Sequence, residues 1–183
     1  MAASSRTVRA NTLKIAEEIP EDKYAYRPAE GTRTVGELLA HMALGGKFFE
    51  KINLVEKRTS MEGFDFMKFI GALGAEAAKP RTKAEIIALL KDEGEKFAKA
   101  LESLSDDFLG QSVAMPPGAH PASRTRFDML ASVKEHEMHH RGQLMLIERM
   151  LGITPHLTRE HLARMAAMQA AAQAATQVTT AAK

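Results

Sequence analysis

The sequence predicts an all-α protein, a four-helix bundle with one long connection and an extra C-terminal helix. Apolar residues recur at helical spacing in several long segments, and no segment shows the alternation typical of a half-buried strand. Two threonines are each followed three residues later by a glutamate, the capping-box pattern that starts a helix. Prolines and glycines separate these segments. Four long amphipathic helices bury their apolar faces most simply against one another.

The first two helices are predicted on either side of Pro20. The first covers Ser5–Glu18 and ends before the proline, which cannot continue a helix. Its apolar stripe consists of Val8, Thr12, Ile15 and Ile19. The second starts at the capping box of Thr34 and Glu37 and continues to about Lys57.

A long connection and a third helix follow. Residues 60–79 are predicted to contain a short helix, because a connection of this length rarely lacks structure altogether. The third helix starts at the capping box of Thr82 and Glu85 and runs to about Leu104. Residues 105–121 are predicted to be a loop.

The last two helices lie beyond this loop. The fourth starts near Ser123 and runs to Leu151, and Gly152 ends it. Thr158 is predicted to cap a fifth helix that continues into an alanine-rich tail, whose last residues are expected to fray. The chain therefore divides into a bundle, residues 1–156, and a C-terminal helix, residues 157–183.

The composition excludes several classes of protein. The 183 residues include no cysteine, which excludes disulfides, iron–sulfur clusters and a cysteine nucleophile. The 25 basic and 23 acidic residues nearly balance. The sequence has no helix with the clustered basic residues that nucleic-acid binding requires. We find no apolar run of about 18 residues that predicts a membrane span, and no apolar segment of a secretory signal. We expect a cytoplasmic protein with a small-molecule substrate and no nucleic-acid or membrane partner.

Histidines concentrate the candidate chemistry. His136 and His140 are four residues apart on the fourth helix, so they project side by side and can bind one ion. Two imidazoles on an otherwise apolar stripe are costly unless they are paired or bound to metal. His41, on the core face of the second helix, is the predicted third ligand. Such a site suits zinc, nickel or another divalent ion, and the alternative is a set of hydrogen-bonded histidines without metal.

The same segment has a second interpretation. His136-Glu-Met-His-His140 matches the zinc-protease pattern, in which Glu137 is the general base. The extended pattern needs glycine at position 143 and histidine at position 146, where this chain has Gln143 and Leu146. Glu160 is a more distant ligand candidate. We favour Glu137 as a solvated helix residue, because no strand is predicted that would bind a peptide.

Three further residues lie one turn from the histidines. Gln143 can donate a hydrogen bond to a metal-bound ligand, or it is an ordinary polar helix residue. Gly45 can leave room beside a metal, or it reflects close helix packing. Glu37 is explained by its capping box.

Two segments resemble the DinB-like family. They read Ile19-Pro-Glu…Tyr26-Arg-Pro…Gly31-Thr-Arg-Thr-Val-Gly-Glu-Leu-Leu-Ala-His41 and His136-Glu-Met-His-His140-Arg-Gly-Gln-Leu144, with Leu151-Gly-Ile153 after the second. The resemblance covers roughly residues 5–155. It implies a bundle in up-down-down-up order with a long crossover, and a divalent metal bound by His41, His136 and His140. It also implies a homodimer. Met165 and Met168 on the last helix, outside the resemblance, belong either to an interface or to the core.

The resemblance also indicates an activity. Similar proteins include metal-dependent thiol transferases and isomerases that use low-molecular-weight thiols such as bacillithiol or mycothiol. A metal with three histidine ligands can activate a bound water or hold a thiolate. We therefore expect a metal-dependent hydrolase or a transferase that uses a low-molecular-weight thiol as cosubstrate. The alternative is a non-catalytic metal- or ligand-binding or stress-response protein.

Overall fold

The structure is a computed structural model that describes the backbone of residues 1–181 and the side chains of residues 1–174. Within these residues the helices are α1 (Ala2–Glu18), α2 (Val35–Leu44), α3 (Lys47–Glu50), α4 (Phe66–Ala77), α5 (Lys83–Glu102), α6 (Asp106–Gly110), α7 (Arg126–Met150) and α8 (His156–Ala181). The strands are β1 (Ser112–Ala114) and β2 (Ser123–Thr125). None of the described helices is long and apolar enough to cross a membrane.

Four of these helices form the predicted bundle. Both α1 and α2 pack against α5 and α7, and α4 covers α2 from outside. The stripe predicted for α1 is buried, and it meets the apolar faces of the other three helices. Fully buried members of this core include Ile15, Leu39, Leu90 and Leu144. The helical periodicity therefore identified the bundle and its inward faces correctly.

Both predicted capping boxes are confirmed. The Thr34 hydroxyl accepts from the backbone N–H of Glu37, whose carboxylate accepts from the N–H of Thr34. Thr82 and Glu85 form the same reciprocal pair at the start of α5. Each cap contributes about 1 kcal/mol, and the first fixes the start of the helix that carries His41.

The second helix is shorter than predicted. It ends at Leu44, and a turn at Gly45 and Gly46 leads into α3 and a π-helical turn at Lys51–Val55. Glycine costs about 1 kcal/mol relative to alanine inside a helix, so two in succession make this the weakest point of the segment. The predicted continuous helix to Lys57 is therefore wrong.

The connection before α7 contains structure that the sequence did not predict. In place of a loop at 105–121, the chain forms α6 and a two-stranded antiparallel sheet in which Val113 pairs with Arg124. Val113 is fully buried. Strands of three residues are too short to show an alternation, which is why the expectation of no strands was wrong.

Helix ends near the C-terminus also differ from prediction. Thr125 caps α7, whereas Ser123 lies in β2. Gly152, with φ of +79°, ends the helix as predicted, and the next N–H donates back to the carbonyl of Glu148. The fifth long helix, α8, begins at His156, and Thr158 accepts a hydrogen bond from Arg149 instead of capping it.

Two other expectations concern the ends of the chain. The first helix begins at Ala2, three residues earlier than predicted. The alanine-rich segment continues α8 to Ala181, and α8 contacts α1. The fraying expected for the last residues, 182–183, lies outside the described residues.

A buried ion pair joins the four bundle helices. Arg9 of α1 donates two hydrogen bonds to the carboxylate of Glu137 on α7, at 2.8 and 3.0 Å. Its guanidinium also donates to the carbonyls of Met42 on α2 and Leu90 on α5. The hydroxyl of Thr12 donates to the same carboxylate. Because both charged residues are more than 90% buried, this network fixes the helix carrying His136 against the other three.

Candidate metal centre

Three histidines from two helices converge at one point between α2 and α7. The Nε2 atom of His41 lies 2.9 Å from that of His136 and 3.1 Å from that of His140. The third side of the triangle, between His136 and His140, is 3.2 Å. The structure therefore brings together the three residues that the sequence singled out, although two of them are 95 positions or more from the third.

The ring of His136 depends on the glycine that ends α2. A Cβ atom added at Gly45 would lie 2.7 Å from Nδ1 and 2.8 Å from Cε1 of His136, closer than real side chains approach. The neighbouring Gly46 is different, because its added Cβ would meet only ordinary contacts of 3.6 Å or more. Gly45 therefore leaves room for the His136 ring where the end of α2 lies close to α7, an arrangement that fits both roles expected for this glycine.

Gln143 orients one of the three rings. Its Oε1 accepts a hydrogen bond of 2.8 Å from Nδ1 of His140, while its Nε2 lies 3.2 Å from Nε2 of His139. A ring that donates from Nδ1 presents a bare Nε2 lone pair to the other two histidines. Gln143 thus orients His140, and a hydrogen bond from Gln143 to a metal-bound ligand stays a prediction.

The three rings are uncharged over a wide pH range. Burial lowers the pKa of His41 to about 3 and that of His136 to about 4. Burial also lowers the pKa of His140. Neutral imidazoles are the form that binds metal, so the site is ready for an ion without losing protons near neutral pH.

The donor set fits a divalent transition-metal ion. Ligand atoms of a tetrahedral zinc, at 2.0–2.1 Å from the ion, lie about 3.3 Å from one another, close to the 2.9–3.2 Å between the Nε2 atoms. Two arrangements hold three imidazole nitrogens this close together: hydrogen bonds between the rings, whose direction depends on the tautomers, or one cation between them. Among the described residues, this is the cluster of histidine and acidic side chains close enough together to bind a metal.

A cavity of about 640 Å³ opens beside the histidines. It lies between the loop 27–33, the end of α4 and the C-terminal half of α7. His140 and Gln143 form part of its wall, together with the apolar side chains of Leu38 and Ile147. Its volume is in the range of small-molecule sites.

The structure separates Glu137 from this site. Its carboxylate is buried and occupied by Arg9 and Thr12, so the preferred interpretation of a solvated helix residue is wrong. The same contacts leave no free carboxylate oxygen for the general base of a zinc protease. Glu160, the distant ligand candidate, forms an exposed ion pair with Lys14 instead.

Sequence reasoning missed two arginines that shape the site. Arg9 binds Glu137 across 128 positions, and Arg33 lines the cavity. Arg33 lies inside the first DinB-like segment, whereas Arg9 belongs to no motif and is a charged residue between the stripe positions 8 and 12 of its helix. That placement was the available signal for a buried ion pair.

Similar proteins are found by sequence and by structure. YjoA of Bacillus subtilis, described as uncharacterized, is 27% identical over 143 residues, which is 78% of this chain and 83% of YjoA. The crystal structure of YjoA, a DinB-like protein, has a TM-score of 0.60 at 24% identity and covers 84% of this chain and 92% of its own. YfiT from Bacillus subtilis, described as a probable metal-dependent hydrolase with an unusual four-helix bundle topology, has a TM-score of 0.63 at 17% identity. That match covers 84% of this chain and 86% of YfiT.

The fold and a family model agree. The model of the DinB superfamily matches residues 5–144, which include α2 and α5 in full, most of α1 and α7, and the three histidines. With the bundle and the histidine cluster that the resemblance implied both present, the chain belongs to the DinB superfamily.

Proposed function

We propose that this protein is a divalent-metal-dependent hydrolase whose ion is bound by His41, His136 and His140. The observation that carries the proposal is the convergence of three Nε2 atoms within 3.2 Å of one another at the wall of a small-molecule cavity. The description of YfiT as a probable metal-dependent hydrolase supports the same reaction class.

The chemistry of the proposal needs an ion with open positions. An ion held by three side chains keeps at least one position for water or substrate, and lowers the pKa of bound water towards neutrality. The chain itself holds and orients the ligands: Gln143 fixes the His140 ring, and Gly45 admits the His136 ring. The cavity beside His140 receives the substrate.

A second candidate is a transferase that uses a low-molecular-weight thiol. The sequence has no cysteine, so any sulfur at the site must arrive with a substrate. The cavity volume of about 640 Å³ favours this candidate as well, because it has room for a thiol and an electrophile together.

Metal analysis of the purified protein tests the site. Wild type should bind about one zinc or nickel ion per chain, and His41→Ala and His136→Ala should each lose it. His161→Ala is the matched control, since His161 is exposed on α8 and should leave metal content unchanged. Full metal content in both site variants would refute the proposed ligands.

Turnover assays then separate the functions. The metal-loaded protein is incubated with ester and amide substrates, and with thiols plus electrophiles. Metal-dependent hydrolysis supports the first proposal, and metal-dependent thiol addition supports the second. Binding of these molecules without any product indicates the non-catalytic alternative, whereas cleavage of a denatured protein would support a zinc protease.

We also propose a cytoplasmic homodimer. The exposed apolar side chains on α8 support an interface: Leu162, Met165 and Met168. Light scattering of the purified protein tests the assembly, and a monomer at micromolar concentration would contradict it.

A further inference from the structure

The cavity beside the histidines has an arginine with no partner. Arg33 lies in its wall and forms no hydrogen bond or ion pair with any residue whose side chain the structure describes. Arg33 shares this wall with His140, one of the three converging histidines. Arg33 and the histidine cluster therefore border the same cavity.

The other charges of the wall nearly cancel. Arg27 donates to the carboxylate of Glu37 at 3.2 Å. Backbone hydrogen bonding at Thr34 holds the pKa of Glu37 below its usual range, so this carboxylate is ionised at neutral pH. These two side chains form a neutral pair, and the single uncompensated charge of the wall is that of Arg33.

The remaining wall is mostly apolar. Leu38 and Ile147 line it from inside, and Leu146 and Met150 expose more than half of their surface at its edge. An apolar wall favours a ligand that is mostly apolar, and one unpaired guanidinium favours a ligand that carries one negative charge. A planar carboxylate matches the fork of arginine, and its single negative charge equals the one uncompensated positive charge of the wall, which a phosphate dianion would exceed.

We propose that Arg33 is the specificity residue of this cavity and binds the carboxylate of an apolar substrate whose reacting group meets the three histidines. This inference rests on the proposed function, because it gives that metal site its substrate class. Arg33 is exposed, so its replacement should not disturb the fold.

Calorimetric titration of the zinc-loaded protein tests the proposal. Hexanoate is the probe, and hexanamide is its uncharged match in length. Wild type should bind hexanoate about tenfold more tightly than hexanamide, and Arg33→Gln should remove most of that preference. Arg164→Gln is the control, because Arg164 is an exposed arginine on α8 outside the cavity wall, and it should keep the preference.

The outcomes distinguish this inference from the proposed function. If Arg33→Gln binds hexanoate as tightly as wild type does, the proposed role of Arg33 is wrong. If removal of zinc from that variant then abolishes hexanoate binding, the carboxylate binds the ion instead. Zinc content is measured on the same samples. If wild type holds no zinc, the proposed function fails, and the charge preference of the metal-free protein still decides whether Arg33 binds the carboxylate.

Discussion

Replacement of Gly45 by alanine adds one methyl group, which should weaken metal binding while the backbone keeps its conformation. Gly45 has φ of −58° and ψ of −27°, which alanine adopts without strain. The backbone would therefore accept alanine, with a gain of up to about 1 kcal/mol in folding stability. The ring of His136 would not accept alanine in its present position, because the new Cβ atom would lie 2.7 Å from its Nδ1 atom.

The size of the effect follows from these distances. Ordinary van der Waals contact begins at 3.4 Å, so the ring must withdraw by about 0.7 Å. Metal–ligand distances tolerate about 0.2 Å, and the displaced nitrogen would leave the coordination sphere. We expect metal affinity to fall by at least about 100-fold, since disturbing a group that only orients a ligand already costs 10- to 100-fold.

Competition with a chromophoric chelator measures the zinc affinity, and urea unfolding of the metal-free protein measures stability. Gly142→Ala is the matched control, because Gly142 lies inside α7 and a Cβ there meets nothing within 4 Å. That variant should gain about 0.5–1 kcal/mol and keep its zinc affinity. Wild-type zinc affinity in Gly45→Ala would refute the placement of His136 as a ligand.

Three further predictions concern residues around the site and the core. Gln143→Leu removes the acceptor for Nδ1 of His140, and zinc affinity should fall about 10- to 100-fold in chelator competition. Glu137→Gln leaves the charge of Arg9 buried without its counter-ion, and should lower the free energy of unfolding by about 3–5 kcal/mol. Burial raises the pKa of Glu148 to about 7 from 4.5, so its protonated form stabilises the fold below pH 4.5 and that contribution is lost as the pH rises through 7. Glutamine at position 148 carries no charge at any pH. The unfolding free energy of Glu148→Gln, taken relative to wild type and measured with urea, should therefore be about 1–2 kcal/mol higher at pH 8 than at pH 5.

Each of these predictions has a control or a contrary result. Lys14→Met breaks the exposed pair with Glu160 and should cost less than about 1 kcal/mol. Normal stability of Glu137→Gln, together with lost activity, would restore Glu137 as a general base. Equal stability differences at pH 5 and pH 8 would show that Glu148 ionises normally. Unchanged zinc affinity in Gln143→Leu would leave His140 oriented by packing alone.

Much of the fold was predictable because its signals are local. The capping boxes at Thr34 and Thr82 each involve residues three apart, and the stripe of α1 repeats every turn. The break after Leu44 was harder to see, since the apolar pattern continues beyond Gly45 and Gly46. The strand around Val113 was missed because three residues carry too little pattern to distinguish a strand from a loop.

The sequence by itself determined the starts of α2 and α5 at their capping boxes, the stop at Gly152 and the adjacent projection of His136 and His140, because these depend on helical geometry over a few residues. Only the tertiary structure decided which contacts form between helices: the approach of His41 to that pair, the burial of Glu137 against Arg9, and the unpaired charge of Arg33 at the cavity. Contacts across 95 or 128 positions leave no periodic trace in the chain, since they depend on how the apolar faces pack. The bundle therefore converts a two-histidine motif into a three-histidine site.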